Sequence, residues 1–560
     1  SSSSSSPSAL FLGLGSSTQG LKATLIAGDA PGAVVHHAAV NYDRDLPHFR
    51  TSGGMHKAPG SNVTSPVLMW LEALDLLLSR LRADERAGTS SSGRAFRLGD
   101  VVAVSGSGQQ HGSVYWANGA SAKLRMLDPA VALGRQLGYS FSRLASPIWA
   151  DSSTSAQCAA LEAAVGGAKR LSEMTGSRAY ERFTGNQIAK VASLTPDVYA
   201  NTERISLVSS FMCSVFLGAY APVDTSDGSG TNLNDLLGEG GTKWYDAAVQ
   251  ACGGDTLAAK LGPDGMVAPH AVLGGISGYF VYRYGFSPAC QIVAWSGDNP
   301  CSLAGLGLQQ AGDVAVSMGT SDTMFTMMSK ARPGLDGHVL RNPVDPESFM
   351  GMLCFRNGSL AREDVSKRCA GGSWDKFSEL LSERNPGNDG AIGFYYMDPE
   401  ITPTTGDAAR VQRFDAGGAA VDRFDDATEV RAVLEGKFLA MRLFGEGIGM
   451  DVGELNRIIA TGGASNNTAI LQVLADVFGV PVYTIEQSDS ASLGAAFRAL
   501  HGFCCRQNGA FVPFPDVVPT SALPYTEAAR PKDGAVDVYT GMLKRFASLQ
   551  GDFVRELCNL

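Results

Sequence analysis

Asp298 and the hydroxyl-rich turn that follows it carry most of the chemical information in this sequence. Asp298 stands in a Gly-Asp-Asn-Pro turn directly after an apolar run, 292–295, that predicts a buried strand. A second predicted strand, 314–318, ends in Gly-Thr-Ser-Asp at 319–322. A carboxylate can take the proton of an alcohol, while backbone amides and hydroxyls can hold a polyphosphate. Together these residues predict a small-molecule kinase that uses ATP.

The hydroxyl-rich turn occurs twice. Near the start of the chain, a predicted strand over 11–14 runs into Gly-Ser-Ser-Thr-Gln-Gly at 15–20 and resumes as a strand over 21–26. The second copy resumes as a predicted strand over 323–327. One such hairpin is typical of many proteins that bind nothing, and Asp298 alone is equally typical of an Asx turn. Two copies beside a candidate base favour a duplicated architecture, in which both halves face a cleft and hold one polyphosphate.

A polar turn in the first half of the chain is a candidate sugar site. After the predicted strand 101–104, the chain reads Ser-Gly-Ser-Gly-Gln-Gln-His-Gly over 105–112, which includes Gln110 and His111. Amide and imidazole groups suit a polyhydroxylated ligand that needs several donors and acceptors. A single histidine is more often a structural residue, so both interpretations stay open for His111. Arg182 could reach a sugar hydroxyl, or it could pack among its aromatic neighbours.

Two further features are candidates for nucleotide binding. A Gly-Gly-Ala turn at 462–464 lies between a predicted strand, 457–461, and a predicted helix, 467–478. Glycines let a nucleotide approach the backbone, and the amino end of a helix favours negative charge, although a lone Gly-Gly turn is weak support. Trp374 follows Gly-Gly-Ser and is either a support for an adenine ring or a core anchor.

Alternating strands and helices must position these residues. Apolar residues at helical spacing predict helices over 65–81 and after a capping box at 426–429, with a final helix near the end of the chain. The order of strand, turn, helix and strand from 457 to 485 is typical of a parallel or mixed sheet covered by helices. Loops are predicted at 226–241, 334–346 and 386–393. The fold class is therefore α/β.

Composition limits the function classes. The 560 residues are 44% hydrophobic and 18% charged, with a net charge of −10. This balance provides no basic surface for nucleic acid or an anionic membrane, so a small-molecule partner is expected. The uncharged run 205–223 is interpreted as a buried helix because it contains four serines, with a membrane span as the alternative. The length allows roughly three or four domains, or two large lobes.

Cysteine usage bears on metal binding and location. The ten cysteines form no CxxC pair, and the eight histidines complete no Cys/His spacing, so structural zinc is not expected. Dispersed cysteines suit a reducing compartment, which predicts a cytoplasmic location. The chain begins with six serines and no methionine. Residues 1–9 are therefore expected to be a disordered tail, and a plastid location stays open.

Long segments of the chain resemble eukaryotic members of the FGGY carbohydrate kinase family, from about residue 11 to the final helix. The segments that carry the resemblance are SSTQGLKA, DRDLPHFRT, TSPVLMW, SGSGQQHGS, IWADSSTSAQC, GSRAYERFTGNQIAK, ERISLVSSF, SGDNPCSLAG, AVSMGTSDT, CFRNGSLARE and ATGGASNN. The resemblance implies a two-lobed, ribonuclease-H-like (actin-like ATPase) fold with an active-site cleft between the lobes. It implies a sugar-binding lobe over 10–310, which supplies the base, and a nucleotide-binding lobe over 311–560.

The resemblance also implies an activity, the transfer of the γ-phosphoryl group of ATP to the 5-hydroxyl of D-xylulose with Mg²⁺. In this activity Asp298 is the base, the partners are D-xylulose and ATP, and the protein is a monomer or homodimer without nucleic-acid or membrane partners. The implied sugar contacts, together with Gln110 of the polar turn, are His111, Arg182, Asp298 and Asn299. The implied nucleotide contacts, together with Gln19 and Gly319 of the hairpins, are Ser17, Thr18, Thr320, Ser321, Trp374, Gly463, Ala464 and Asn467. No metal-ligating residue is assigned.

One position departs from the family pattern. Members of the family carry an aspartate at the end of the first strand, where it helps to organise the waters of Mg²⁺, and this chain has Gly15. Loss of that carboxylate should weaken the placement of Mg²⁺ against the phosphates. Three interpretations stay open: a kinase of D-xylulose or of another ketose or polyol, a sugar- and nucleotide-binding pseudokinase, and an actin-like ATPase. Gln110, His111 and Arg182 disfavour the last, since such ATPases need no sugar pocket.

Overall fold

The computed structural model describes residues 9–486 and 489–558, and their fold is α/β. The strands are β1 (Leu10–Ser16), β2 (Gly20–Ala27), β3 (Ala30–Asn41), β4 (His56–Ala58), β5 (Asn62–Pro66), β6 (Val101–Gly108), β7 (Ser113–Ala117), β8 (Phe141–Arg143), β9 (Ala145–Pro147), β10 (Thr202–Leu207), β11 (Val272–Gly275), β12 (Gln291–Val293), β13 (Ser296–Gly297), β14 (Asp313–Met318), β15 (Asp322–Met328), β16 (His338–Arg341), β17 (Phe349–Phe355), β18 (Ile392–Tyr395), β19 (Val411–Phe414), β20 (Ala420–Val421), β21 (Arg457–Thr461), β22 (Val482–Thr484) and β23 (Thr526–Ala529).

The helices alternate with these strands along most of the chain. They are α1 (Tyr42–Asp45), α2 (Val67–Ala87), α3 (Ala120–Arg125), α4 (Leu133–Leu137), α5 (Ser155–Val165), α6 (Ala168–Thr175), α7 (Thr184–Leu194), α8 (Pro196–Ala200), α9 (Val208–Leu217), α10 (Thr225–Gly228), α11 (Asp246–Gly253), α12 (Leu257–Leu261), α13 (Gly278–Tyr284), α14 (Asp298–Gly305), α15 (Ser359–Ala370), α16 (Trp374–Ser382), α17 (Asp426–Ile448), α18 (Thr468–Phe478), α19 (Ser490–Asn508), α20 (Phe514–Val517) and α21 (Ala535–Cys558). Short 3₁₀ helices lie at Pro47–Phe49, Leu98–Asp100, Glu239–Gly241, Gly254–Thr256, Asn388–Gly390, Val452–Glu454, Gly463–Asn466 and Thr520–Ala522.

The described chain forms two compact units. The first unit contains residues 9–309, 340–347 and 489–523, and the second contains residues 310–339, 348–486 and 524–558. The lobes expected from the sequence, 10–310 and 311–560, divide within one residue of the first boundary between these units. The expected second lobe differs from the second unit because two of its segments, 340–347 and 489–523, belong to the first unit. The larger of these segments carries α19.

Glycines explain why α19 lies in the first unit. A Cβ atom at Gly13 in β1 would lie 2.1 Å from the carbonyl oxygen of Ser492 in α19. A Cβ atom at Gly494 in α19 would lie 1.7 Å from the carbonyl oxygen of Cys301 in α14. Only glycine permits backbones to approach so closely, so α19 packs directly on β1 and α14. This long-range contact cannot be read from the local sequence pattern.

Each unit is built around a mixed sheet with the same order of strand directions. In the first sheet six strands have the order β3-β2-β1-β6-β12-β11, and β13 also pairs with β6; in the second sheet six strands have the order β17-β15-β14-β21-β22-β23, and β16 is added beside β17. The three central strands, β1, β6 and β12 or β14, β21 and β22, are parallel, and the flanking pairs are antiparallel. The predicted duplication and the predicted mixed sheets are therefore confirmed.

Both hydroxyl-rich hairpins form as predicted. β1 pairs with β2 so that Ser16 lies opposite Leu21, and the amide of Ser17 donates to the carbonyl of Gly20 at 2.9 Å. β14 pairs with β15 so that Met318 lies opposite Asp322. Each hairpin is the first strand pair of its sheet, which places its tip at the end of a central strand.

The core of the first unit lies between its sheet and two helices. α2 packs on β2 and β3, and α9 packs on β6. Trp70, Trp116 and Phe211 are fully buried in this cluster. Full burial of a large apolar side chain stabilises a fold by about 1.5–3 kcal/mol, so this cluster holds the sheet that carries the first hairpin.

Some predicted elements differ from the structure. The helix expected over 65–81 begins at Val67 and continues to Ala87. The capping residue of α17 is Asp425, whose carboxylate accepts from the amide of Thr428 at 3.0 Å, and not Asp426. The first four residues of the polar turn 105–112 belong to β6, because they pair with β1 and β13. The loops predicted at 226–241, 334–346 and 386–393 contain parts of α10, β16 and β18.

The prediction of one buried helix over 205–223 is wrong at both ends, because the helix covers only Val208–Leu217. β10 ends at Leu207 and pairs with β7, and α9 then runs over Val208–Leu217. The amide of Leu207 donates to the hydroxyl of Ser210 at 3.0 Å, which fixes the junction. A continuous apolar run hides this change, since it fits a buried strand as well as a helix. Across residues 9–486 and 489–558, no helix is long and apolar enough to cross a membrane.

Candidate active site

Asp298 lies at the carboxyl end of the first unit's central strands. β13 pairs in parallel with the end of β6, with Gly297 opposite Gly108. Asp298 begins α14 directly after β13, and Gln110 follows two residues after β6 ends. Because both strands end at the same edge of the sheet, Asp298 and Gln110 come together.

Hydrogen bonds fix the carboxylate of Asp298 on one side. Its Oδ1 accepts from the backbone amides of Gln110 at 3.3 Å and Asn299 at 3.0 Å. The side-chain Nδ2 of Asn299 donates to Oε1 of Gln110 at 2.8 Å. The hydrogen bonds from Gln110 and Asn299 to this carboxylate use Oδ1, which leaves Oδ2 able to accept from a bound hydroxyl.

Burial tunes the acidity of Asp298. Desolvation raises its pKa from 3.8 to about 6, against the two backbone amides, which lower it. The group is therefore mostly ionised at neutral pH, yet it is a stronger base than an exposed aspartate. A base whose pKa lies near the working pH is well suited to accept a proton in a transition state.

His111 and Arg182 lie together on the same side of the first unit. The Nδ1 atom of His111 lies 2.8 Å from the carbonyl oxygen of Gly230, and its ring stacks on Phe183 at 4.4 Å. The guanidinium of Arg182 lies 4.9 Å from the ring of Tyr180. Burial, and then the charge of Arg182, lower the pKa of His111 to about 3, so its imidazole is neutral. With Nδ1 donating to the carbonyl, Nε2 presents a lone pair.

The backbone of His111 has the left-handed φ of 70°. Such a conformation is uncommon outside glycine and is found most often in turns and functional sites. The hydroxyl of Thr184 donates to the carbonyl of His111 at 3.0 Å and holds this geometry. The structure thus brings Gln110, Asp298 and Asn299 into one hydrogen-bonded group, with His111 on the same turn.

A small cavity of about 150 Å³ joins Asp298 to the first hairpin. Its lining includes Gly15, Ser17, Lys22, Asp298 and Asp489. Lys22 donates to the carboxylate of Asp489. A Cβ atom at Gly15 would lie 3.3 Å from the Cβ of Ser492 and 3.5 Å from the hydroxyl of Ser107, so a side chain there would enter the cavity.

The other residues of the first hairpin tip lie outside this lining. The hydroxyl of Thr18 accepts from the indole N–H of Trp149 at 2.8 Å. Gln19 is exposed, and its carbonyl accepts from the amide of Tyr42 at 3.0 Å. The tip is therefore held from two sides while its hydroxyl and amide groups stay near the surface.

The second unit has a cavity of about 770 Å³ beside the second hairpin. Six of the predicted nucleotide-binding residues line it: Gly319, Thr320, Trp374, Gly463, Ala464 and Asn467. Ser321 is exposed at the hairpin tip and does not belong to this lining. Trp374, the first residue of α16, is 41% exposed and is therefore not a core anchor.

A glycine turn and a helix cap shape this cavity. Gly462 has a φ of 86°, and a Cβ atom there would lie 2.5 Å from the carbonyl oxygen of Met318, so only glycine brings this turn against the end of β14. Asn467 caps α18 by accepting from the amides of Ala469 and Ile470, and its Nδ2 donates to Ser378 at 3.0 Å. The amino end of α18 thus faces the cavity, which favours an anionic ligand.

A buried ion pair holds the second hairpin. Arg362 in α15 donates to both carboxylate oxygens of Asp322, at 2.6 and 2.9 Å, and to the carbonyl of Gly319 at 3.3 Å. Asp322 is 0% and Arg362 is 3% exposed. A bidentate pair of this kind fixes direction as well as distance, so it orients the tip at Gly319.

Comparison with known proteins places this architecture in a family. The C-terminal domain of the FGGY family of carbohydrate kinases matches residues 314–503. The chain is 49% identical over 540 residues to the xylulose kinase of Rattus norvegicus, which covers 96% of both chains. The chain belongs to the FGGY family of carbohydrate kinases. This FGGY kinase is also 48% identical over 518 residues to xylulose kinase 2 of Arabidopsis thaliana, covering 90% of this chain and 89% of the other.

Solved structures agree on the fold of this FGGY kinase. The xylulose kinase from Rhodospirillum rubrum matches with a TM-score of 0.75 at 17% identity, covering 98% of this chain and 99% of that chain. The gluconate kinase from Lactobacillus acidophilus matches with a TM-score of 0.72 at 16% identity, covering 98% of both. The two-domain, actin-like ATPase fold class is confirmed, and the fold alone does not select the sugar.

Sequence reasoning missed several residues of the FGGY kinase that lie at these sites. They are Lys22, Trp149, Asp227, Arg362 and Asp489. Lys22 gave a signal, since it is the one charged residue in the predicted strand 21–26. The others lie in turns or helices without a chemical motif, and only the folded contacts bring them to the sites.

Proposed function

We propose that this protein is a xylulose kinase that transfers the γ-phosphoryl group of ATP to the 5-hydroxyl of D-xylulose. The observation that supports this most strongly is the 49% identity to a xylulose kinase over nearly the whole of both chains. Fold likeness is weaker support for the substrate, because a gluconate kinase matches the structure almost equally well. A cytoplasmic location and a monomeric or homodimeric state remain predictions.

The chemistry centres on Asp298. The 5-hydroxyl oxygen of the sugar attacks the γ-phosphorus, the bond from that phosphorus to the bridging oxygen breaks, and ADP leaves. The hydroxyl proton passes to Oδ2 of Asp298, the oxygen that the neighbouring amides do not use. In-line transfer of this kind depends mainly on positioning and charge stabilisation, with the base orienting the nucleophile.

The polar residues around Asp298 would hold the sugar. Gln110 and Asn299 are already paired, so Oε1 of Gln110 would present an acceptor to its hydroxyls and the side-chain amide of Asn299 would present a donor and an acceptor. Neutral His111 would accept a hydroxyl proton at Nε2, since Nδ1 donates to the carbonyl of Gly230. Arg182 would donate to a sugar oxygen. A site built from such groups discriminates strongly against ligands that leave them unpaired.

ATP would be held by both hairpins and by the cavity of the second unit. The proposed contacts are Ser17, Thr18, Gln19, Gly319, Thr320 and Ser321 for the phosphates, and Trp374, Gly463, Ala464 and Asn467 for the rest of the nucleotide. Hydroxyls and backbone amides suit phosphate oxygens, and the exposed face of Trp374 suits an adenine ring.

Mg²⁺ is expected to arrive with the nucleotide. Among the described residues, no group of three or more His, Cys, Asp or Glu side chains could hold a metal ion. Gly15 contributes no carboxylate to the cavity beside Asp298. The described residues therefore do not fit a metal site of their own, and Mg²⁺ would belong to the MgATP substrate, where phosphate oxygens and water are its natural ligands.

The pKa of Asp298 predicts the pH dependence of the reaction. We expect kcat/KM for D-xylulose to be constant at higher pH and to fall about tenfold per pH unit below about pH 6, because the protonated carboxyl cannot accept a proton. Initial rates at low sugar concentration and saturating MgATP measure this profile. A profile that stays flat from about pH 5 to pH 8 would exclude Asp298 as the base.

Trp374 allows a separate test of the nucleotide site. We expect Trp374→Ala to raise KM for ATP by about three- to tenfold, since ring stacking contributes about 0.5–1.5 kcal/mol. The fold should be unaffected because the side chain is 41% exposed. Trp374→Phe keeps an aromatic face and is the matched control. An unchanged KM for ATP in Trp374→Ala would remove this residue from the nucleotide site.

The substrate is tested by a panel of sugars and polyols. The purified protein is assayed with MgATP and D-xylulose, D-ribulose, glycerol or gluconate, and ATP hydrolysis is recorded without sugar. We expect D-xylulose to give the highest kcat/KM. A preference for another alcohol would refute the substrate but keep the kinase, whereas binding of sugar and nucleotide without product would favour the pseudokinase, which none of the relatives supports.

A further inference from the structure

Asp227 is a buried carboxyl group beside the proposed active site that the proposed reaction leaves without a role. It lies in α10 and is 1% exposed. Its Oδ2 accepts from the hydroxyl of Ser209. Its Oδ1 is buried and makes no hydrogen bond of regular geometry with the described residues, although the side chain of Gln110 lies close enough to lower the pKa of Asp227. An unpaired buried oxygen costs free energy, so its presence calls for a physical reason.

Gln110 has an unpaired hydrogen-bond donor that complements the unpaired acceptor of Asp227. This side chain is 4% exposed, and its Nε2 is buried without a hydrogen-bond partner among the described residues. Its Oε1, in contrast, accepts from Nδ2 of Asn299 at 2.8 Å. An unpaired acceptor on Asp227 and an unpaired donor on Gln110 therefore occur in the same part of the first unit.

Gly297 shows that the two groups converge. A Cβ atom at Gly297 would lie 2.7 Å from Oδ1 of Asp227, and 2.4 and 2.9 Å from Cγ and Cδ of Gln110. Both side chains thus cover the same face of the residue directly before Asp298. Glycine is required at 297 because any side chain would separate Asp227 from Gln110.

The charges around Asp227 favour its neutral form. The titratable groups that face it are Asp224, which caps α10, and Asp298 and Cys301 on α14. Arg498 is engaged by Asp224 at 3.2 Å and by the carbonyl of Pro269. Burial, and then the charge of Asp224, raise the pKa of Asp227 well above its ordinary value. A neutral carboxyl can bond both Ser209 and Gln110 without placing a second negative charge beside Asp298.

We propose that Asp227 is a positioning residue for phosphoryl transfer, whose buried carboxyl group holds the carboxamide of Gln110 above Gly297 and thereby aligns Asn299 and Asp298 on the sugar. This inference rests on the proposed function. The bond between Asp227 Oδ1 and Gln110 Nε2 closes when sugar binds, as apo active sites often tighten only in the substrate complex. Asp227 does not touch the sugar, because its oxygens are buried behind Gly297.

Two substitutions test whether Asp227 acts through a neutral carboxyl group. Asp227→Ala is expected to lower kcat/KM for the sugar by about 10- to 100-fold, with KM for ATP changed less than about twofold, since misplacement of a reacting group is costly. Asp227→Asn has the same shape and no charge, and we expect it to restore most of the lost kcat/KM. Asp235→Ala, in the same stretch of chain and bonded to the amide of Gly238, is the matched control.

The pH dependence of kcat/KM shows whether Asp227 is neutral or ionised. If Asp227 is neutral, Asp227→Asn keeps the acid limb of kcat/KM near the wild-type position. If Asp227 were an anion, removing its charge would move the limb to lower pH. Such a shift, an Asp227→Asn variant as impaired as Asp227→Ala, or an Asp227→Ala variant within about threefold of wild type would each overturn the proposal.

A double-mutant cycle makes the result independent of which alcohol is the substrate and adds a readout besides turnover. Asp227→Ala, Gln110→Ala and the double variant are compared by kcat/KM on whichever alcohol the wild type phosphorylates, and by urea unfolding of the sugar-saturated protein. We expect the double variant to be no worse than the more impaired single variant, because the two side chains act as one unit. Additive effects in both measurements would refute the coupling. A wild type without any kinase activity would refute the proposed function, while the unfolding cycle would still decide the coupling.

Discussion

Asp298→Asn is expected to lower kcat about 10²- to 10⁴-fold while leaving the fold intact, because general-base catalysis contributes that much and the amide cannot accept the proton. The side-chain oxygen of asparagine can still accept from the amides of Gln110 and Asn299, so the local geometry is retained. Steady-state kinetics with D-xylulose and MgATP measure the loss. Sugar binding, measured by calorimetry, should change little.

The same substitution should make the protein more stable at neutral pH. The pKa of Asp298 is about 6 in the folded state against an ordinary value of 3.8, so folding favours the protonated form. Ionisation in the folded state therefore costs stability above about pH 6, up to about 3 kcal/mol, and this cost disappears below the unfolded pKa. Urea unfolding should show Asp298→Asn more stable than wild type at about pH 8 and equal near about pH 3.5.

Asp425→Asn is the matched control for both effects. Asp425 caps α17, and hydrogen bonds from Thr428, together with the charge of Arg384, lower its pKa to about 2 against the effect of burial. Its folded pKa lies below the unfolded value, so its contribution to stability is present at neutral pH and is lost on acidification. The control should therefore keep full activity and gain no stability. Full activity in Asp298→Asn would remove Asp298 from its catalytic role.

Arg362→Ala is expected to give the largest loss of stability. It leaves the carboxylate of Asp322, which is 0% exposed, without its bidentate partner. Removing one member of a buried ion pair costs about 3–5 kcal/mol, because the other charge stays buried. Urea unfolding of the variant measures this loss, and the free hairpin tip should also raise KM for ATP.

Two further variants test the cause of that loss. Adding Asp322→Asn to Arg362→Ala removes the stranded charge and should recover part of the stability. Arg530→Ala breaks an exposed pair with Glu527 and should leave the unfolding midpoint unchanged. If Arg362→Ala were as stable as wild type, the ion pair would not be what holds the second hairpin.

The sequence predicted the parts of the site that depend on local chemistry. Asp298 became the candidate base because a carboxylate after a buried strand is a common way to present a catalytic group. The hairpin tips were found because the same glycine and hydroxyl pattern occurs twice. The cavity of the second unit then gathers Trp374 and Gly463, which lie far apart in the chain.

The parts that could not be predicted depend on contacts distant in sequence. Asp227 lies in a stretch without periodicity, and its relation to Gln110 exists only because β6 and β13 end side by side. The membership of α19 in the first unit depends on Gly13 and Gly494 removing atoms from a close backbone contact. A missing side chain gives no hydrophobic pattern, so nothing in the local sequence moved α19 out of the later lobe that the resemblance implied.

The most direct measurement follows the phosphorus atom of ATP by ³¹P NMR, with D-xylulose, MgATP and either wild-type protein or Asp298→Asn at equal concentration. With wild type we expect one sugar phosphate ester on O5 for each ADP released, and with Asp298→Asn almost none over the same time. ATP consumption without a sugar ester, or equal ester formation by both proteins, would contradict phosphorylation of the sugar through Asp298.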